Sequence, residues 1–185
     1  MNLYHEVIAI CWLAFFIVWA ILAVIYQGGG RRAVPARAFG SRLFLLAAMF
    51  LGFFVSGRVQ LHVSGTLAAD LAAAGALLCI AGLLFAVWAR VVLGRNWGMP
   101  MTLHADPELI TSGPYRYVRH PIYTGLITMW IGSSMVYPQF TLPGGFIIVY
   151  TIFSAVREER DMEQRFPETY PEYRKRSKMI LPFLI

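Results

Sequence analysis

Val7 to Tyr26 is an unbroken run of twenty residues without a charged side chain. As a helix rising 1.5 Å per residue, a run of this length reaches across the roughly 30 Å hydrocarbon core of a bilayer. Lipid offers no hydrogen-bonding partner to a bare backbone, so a segment that lives there must be a helix or part of a closed barrel. The rest of the chain is similarly apolar: 58% of its 185 residues are hydrophobic and 14% are charged, whereas about a quarter are charged in ordinary globular domains. The expected fold class is an all-α integral membrane protein. The first run is too long for a signal-peptide core and no small-residue cleavage site follows it, so it is expected to stay as a membrane helix.

Further apolar segments run from Leu43 to Val55, Leu67 to Ala89, Ile122 to Val136 and Phe146 to Val156, the last continuing into a charged helix. They predict about five transmembrane helices followed by a helical C-terminal segment, in a single domain covering 1–185. Arg58 is expected at the interface, where its long side chain can snorkel. Tyr137 to Gly145, with two prolines and two glycines, predicts a tight turn that makes the last two spans an antiparallel hairpin. Cys11 and Cys79 fall inside apolar segments and read as small buried hydrophobes. The four histidines are scattered, and no metal is implied.

Positive charge orients these spans. Four Lys or Arg residues lie between the first and second segments, four between the third and fourth, and seven after the fifth, fifteen of the 16 in the chain. Five spans put all three regions on one side, and the positive-inside rule makes that side cytoplasmic, with the N-terminus outside. In a bacterium the membrane would be the cytoplasmic one. The net charge of +6 and pI of 9.6 are explained by those loops, and no nucleic-acid motif is present.

The chemistry is expected at Gly113 to Gly125, Gly-Pro-Tyr-Arg-Tyr-Val-Arg-His-Pro-Ile-Tyr-Thr-Gly. Pro121 suits the first turn of the fourth helix, where its missing N–H costs little. Arg119 and His120 would then stand beside free backbone N–H groups, a place that favours an anion. Arg116 and Arg119 could instead hold phospholipid headgroups, with Tyr115, Tyr117 and Tyr123 as an interfacial belt. Glu158 and Glu159 follow the fifth segment, and the hairpin would bring them to the same face as Arg119 and His120. Carboxylates on one wall and cations with helix N–H groups on the other suit a zwitterionic amino acid moiety. The alternative for the glutamates is a solvated face pairing with Arg165. Tyr170, Tyr173 and the basic run Arg174 to Arg176 are expected along the membrane surface, with Leu181 to Phe183 packing back.

Together these residues resemble the isoprenylcysteine carboxyl methyltransferase family and its phospholipid and thiol methyltransferase relatives. A Gly-x-Tyr-x-x-x-Arg-His-Pro-x-Tyr-x-Gly element before one membrane helix is matched in full by Gly113 to Gly125, and a Glu-Glu pair after the next by Glu158 and Glu159. Met162, Phe166, Tyr170, Tyr173 and Leu181-Pro182 fall at the expected offsets, and Leu93 to Trp97 resembles an upstream element. Pro167 departs from a glycine common in relatives. The resemblance covers Leu93 to Phe183 and divides the chain into N-terminal transmembrane helices, 1–92, and a cofactor-binding half, 93–185.

That resemblance implies an S-adenosyl-L-methionine-dependent methyltransferase whose lipidic or small-molecule acceptor enters from the membrane lipids. It implies His120, Pro121, Tyr123 and Gly125 as cofactor-binding residues, Glu158 or Glu159 on the cofactor's amino or ribose groups, and Leu109 and Tyr115 at the adenosine. Arg119 would hold the cofactor carboxylate or an anionic acceptor. Isoprenylcysteine-type carboxyl O-methylation is the leading activity, ahead of phospholipid amine N-methylation and small-thiol S-methylation. A carboxylate acceptor needs no general base, whereas an amine or thiol would give its proton to Glu159 or His120. The reading from another class is a non-catalytic lipid-binding scaffold, which has no need of the glutamate pair.

Overall fold

The structure, a computed structural model, describes residues 3–26, 65–96 and 108–180. The segment expected from Leu43 to Val55, Arg58, Trp97 of the upstream element and Leu181 to Phe183 lie outside the described residues. The described residues form five α-helices: α1 (Leu3–Ile25), α2 (Thr66–Leu93), α3 (Pro121–Val136), α4 (Thr141–Arg165) and α5 (Tyr170–Arg176). Single 3-10 turns occupy Gly94–Asn96, Gly113–Arg116 and Pro138–Phe140. The protein is an all-α integral membrane protein, and α1, α2 and the stretch Pro138–Arg165 are each long and apolar enough to cross a bilayer. At 16 residues α3 is shorter, about 24 Å.

Two boundaries differ from the sequence expectation. The hairpin turn is confined to Tyr137 and the 3-10 turn after it, because α4 already begins at Thr141. Pro143 is its third helical residue, where no intrahelical hydrogen bond is forfeited. At the other end of the fold, α2 runs four residues past Ala89 and takes Arg90 with it. Arg90 is 1% exposed rather than a loop charge. Its guanidinium donates to the Gly94 carbonyl at 2.9 Å and the Leu22 carbonyl at 3.4 Å, and lies 5.1 Å over the Tyr26 ring. Carbonyls at a helix C-terminus favour a cation, which lets arginine close the helix here.

The tightest packing joins α2 to α3. A Cβ built on Gly75 would lie 2.6 Å from the Gly132 carbonyl oxygen, and one built on Gly82 would lie 2.7 Å from that of Gly125. Gly75 pairs with Gly132 and Gly82 with Gly125, so the helices run antiparallel. Each pair of glycines is seven residues apart, two turns on one face. In lipid, where apolar burial between helices contributes little, such close backbone approach is a principal source of association.

Helix α1 covers this pair through Ile8, Cys11 and Phe15, which join Cys79, Ala86 and Met129 in the core. The Trp12 indole donates to the Ser133 hydroxyl at 3.0 Å. Both cysteines are buried and free, as small apolar residues would be. Gly82→Val should prevent normal assembly, because its Cβ already meets backbone, the Gly125 carbonyl oxygen and the Met129 nitrogen, each at 2.7 Å. It should lower the thermal midpoint in detergent by the equivalent of about 3 kcal/mol or more, while Gly145→Ala, with nothing within 4 Å of its Cβ, should leave the midpoint close to that of the wild type.

Candidate active site

The chain enters the site through a left-handed glycine. Gly113 has φ +59, and a Cβ there would sit 3.1 Å from Val92 of α2, so both the turn and the close approach call for glycine. The 3-10 turn that follows buries Pro114 and Tyr115 and leaves Arg116 and Tyr117 exposed. Val118 then forms a single parallel bridge with Lys178. The Arg119 N–H donates to the Lys178 carbonyl at 2.7 Å and the His120 N–H to that of Met179 at 3.0 Å. Pro121 opens α3 with His120 as its cap residue.

Charged side chains from α3's entry and from α4 meet here. The Arg119 Nε donates to Glu159 Oε1 at 2.6 Å, and both side chains are 8% exposed. Arg119 Nη1 also donates to the carbonyls of Ser177 and Arg174. This arginine is therefore a clasp between α4 and the C-terminal segment. Glu159 pairs with Arg119, on the face expected from the hairpin, and not in the alternative arrangement of a solvated face beside Arg165.

His120 Nδ1 lies 3.5 Å from Glu158 Oε2, and His120 Nε2 lies 3.7 Å from Glu159 Oε1. Nε2 is buried without a hydrogen-bond partner. The Tyr123 hydroxyl donates to Glu158 Oε1 at 2.5 Å, and its ring stacks on His120 at 5.6 Å between centroids. Burial works to lower the His120 pKa, but the two carboxylates together outweigh it and hold the imidazole above its ordinary value. Burial also pushes the Tyr115, Tyr170 and Tyr173 phenols up, keeping them neutral donors.

These groups border a cavity of about 440 Å³. Of the residues singled out in the sequence, Leu109, Tyr115, Arg119, His120, Pro121, Tyr123 and Glu158 line it. Glu159 does not; it lies behind the lining on Arg119. Gly125 does not either, because it faces α2, where its Cβ would be 2.7 Å from the Ala86 Cβ. Its lack of a side chain serves helix packing. Tyr170 and Tyr173, expected along the membrane surface, are 2% and 3% exposed and form a cavity wall. The reason is local: the Tyr173 hydroxyl donates to the Tyr115 carbonyl at 2.7 Å and draws α5 inward. The basic residues Arg174 to Arg176 remain exposed. Leu93 and Asn96 of the upstream element, Met162 and Phe166, and Ile122 also line it, and Glu108 and Ile110, which were not singled out in the sequence, complete the lining.

The model of the phospholipid methyltransferase family matches residues 71–169, more than half the chain. The chain belongs to this family. As a phospholipid methyltransferase family member it is also similar to a probable protein-S-isoprenylcysteine O-methyltransferase of Oryza sativa subsp. indica, at 30% identity over 115 residues, 60% of each chain. Methanethiol S-methyltransferase 1 of Bradyrhizobium diazoefficiens is 30% identical over 77 residues, 42% of this chain and 27% of that one. The chain thus spans under two thirds of the length of either relative. A solved structure titled as the eukaryotic intramembrane Ras methyltransferase ICMT, isoprenylcysteine carboxyl methyltransferase, shares the fold with a TM-score of 0.58 at 18% identity, covering 94% of this chain and 67% of that one.

Removing the carboxylate in Glu159→Gln leaves the buried Arg119 short of its counter-charge. Stability in detergent should fall by about 3 kcal/mol. Glu163→Gln breaks only the exposed pair with Arg174 and should cost below about 1 kcal/mol. Because the folded-state pKa of His120 is raised, its contribution is full below about pH 6.5 and is lost as pH rises through the folded value. The thermal midpoint should therefore decline on that side of neutrality, and His120→Gln should flatten the decline in a melting series from pH 5.5 to 9.

Proposed function

We propose that this protein is a membrane-embedded S-adenosylmethionine-dependent methyltransferase. The observation that carries this reading is the pairing of His120 with Glu158, Nδ1 to Oε2 at 3.5 Å, on the lining of one 440 Å³ cavity. That volume falls in the range of small-molecule sites. The cofactor combines an adenine, ribose hydroxyls, a sulfonium and a zwitterionic amino acid end, and the lining has fitting groups for the adenine and for the zwitterionic end. Tyr115, Leu109, Ile110 and Phe166 offer apolar and aromatic surface to the adenine. Glu158 suits the amino group. The imidazole of His120, held toward its cationic form, suits the carboxylate together with the N–H groups of Ile122 and Tyr123, which a first helical turn leaves without intrahelical acceptors.

Arg119 spends its Nε and Nη1 on Glu159 and on two carbonyls, which favours a supporting role for both residues. Arg119 and Glu159 hold His120 and the C-terminal segment in place. Tyr123 fixes the rotamer of Glu158.

The bound cofactor supplies a methyl group on an already cationic sulfur, so no acid is needed to activate the leaving group. The chain's own residues align the reactants and keep water out, a contribution of up to about 7–11 kcal/mol at the favourable limit. The two carboxylates favour the protonated imidazole of His120, which sets it against a role as proton acceptor. An acceptor that arrives as an anion fits this site best, and an isoprenylcysteine-type carboxylate is our leading assignment, in keeping with the plant relative. A small thiolate is the second reading, favoured by the methanethiol enzyme of Bradyrhizobium. The positive loops support a cytoplasmic placement of the cavity.

Calorimetric titration of the purified protein with S-adenosylhomocysteine should show one site per chain. Glu158→Gln should weaken it at least about tenfold and Tyr123→Phe about two- to tenfold. No heat at millimolar ligand would leave a headgroup-binding scaffold and end the enzyme reading. A radiolabelled methyl-transfer screen across prenylcysteine analogues, small thiols and aminophospholipids should give its strongest signal with the first; a signal confined to the amines would overturn the acceptor assignment.

A further inference from the structure

Residues Ser177 to Ile180 form a strap that runs beside Tyr117 to His120. The Lys178 N–H donates to the Tyr117 carbonyl at 3.0 Å, and the strap's carbonyls in turn accept from Arg119 and His120. One turn into α3 stands Thr124, 8% exposed and absent from the cavity lining. Its hydroxyl lies 3.2 Å from the His120 carbonyl, the usual partner of a threonine within a helix. The shorter contact, 2.5 Å, leaves the helix and reaches the carbonyl of Ile180.

The Ile180 side chain is 4% exposed and packs with Ile127 of α3 and Ala155 of α4. Upstream the strap continues directly from α5, which contributes the Tyr170 and Tyr173 wall. Backbone bonds and Arg119 hold the strap along its length, and the Thr124 hydroxyl, outside the cavity, adds a side-chain bond at its far end, beyond the Met179 carbonyl that receives the His120 N–H. Thr124 is buried where water cannot replace the bond, so loss of the hydroxyl leaves the Ile180 carbonyl without that donor.

We propose that Thr124 is a positioning residue for cofactor retention: its hydroxyl fastens the strap, keeping α5 closed over the cavity, and thereby sets how long the cofactor stays bound. The inference rests on the cofactor reading above. Thr124→Val keeps the shape and removes the donor, and Thr124→Ser restores the donor without the methyl.

In the full-length protein, the dissociation rate of S-adenosylhomocysteine should rise about five- to tenfold in Thr124→Val and return to within about twofold of wild type in Thr124→Ser, with one site per chain in each. Amide exchange at Lys178 and His120 should quicken in the valine variant even without ligand. Thr124→Ala carries the same expectation should valine fail to fold. An unchanged dissociation rate in a valine or alanine variant, with the wild type binding normally, overturns the inference and leaves the cofactor reading standing. Absence of binding by the wild type overturns both.

Discussion

Backbone contact between α2 and α3 sets the position of the N-terminus of α3, where His120, Pro121 and Tyr123 stand. Four glycines let the two helices touch main chain to main chain, and that contact fixes α3 in rotation and in depth more rigidly than interleaved side chains would. Everything at the N-terminus of α3 inherits the constraint. His120 caps the helix, Pro121 opens it, and Tyr123 points from its first turn toward α4. Arg90 closes α2 near the same level by reaching the carbonyls of Leu22 and Gly94, so α1, α2 and the start of the following loop are tied at the end of the bundle that holds the cavity.

On that frame the site is built as two layers of charge. Glu158 faces the cavity, while Glu159, one residue on, is turned back onto Arg119. Adjacent helical positions differ by about 100° in direction, so neighbouring carboxylates cannot share one role. The inner layer is closed: Arg119 meets a carboxylate and two carbonyls, and a buried charge with such partners is held in one geometry. The outer layer is open, with the His120 ring and the half-exposed Glu158 carboxylate bordering the cavity. The inner layer stabilises the arrangement that gives the outer layer its chemistry.

Much of this was legible in the sequence because it depends on local signals. The apolar runs marked α1, α2, α3 and α4, Pro121 marked the start of α3, and the hairpin carried Glu158 and Glu159 to the mouth where Arg119 and His120 stand. What escaped depends on packing between elements far apart in the chain. Gly125 belongs to a motif that the resemblance ties to the cofactor, yet its neighbour is Ala86. The seven-residue spacing of Gly75 with Gly82 and of Gly125 with Gly132 was a readable signal for helix contact. Tyr170 and Tyr173 sit among charged residues, and their short helix has no apolar period to announce burial; a hydrogen bond to a distant carbonyl turns them inward. Arg90 looked like a loop charge because a helix end is set by what its last carbonyls find, which composition does not record.

The shortness of α3 has a consequence for encounter. Gly125 meets both Gly82 and Ala86, so α2 outruns the start of α3 by about three to seven residues, and α4 continues six residues beyond Glu159; the site is recessed by roughly 5–10 Å below the ends of its neighbours. Its floor is walled by the last turn of α2 and by the charged end of α4, Arg160 to Arg165. For an acceptor held in the bilayer by its own hydrocarbon tail, the search for this floor is a walk in a plane, with the tail still solvated by lipid. Its rate then follows the number of acceptor molecules per unit of membrane area, so two cells with equal total acceptor but unequal membrane would load the enzyme differently.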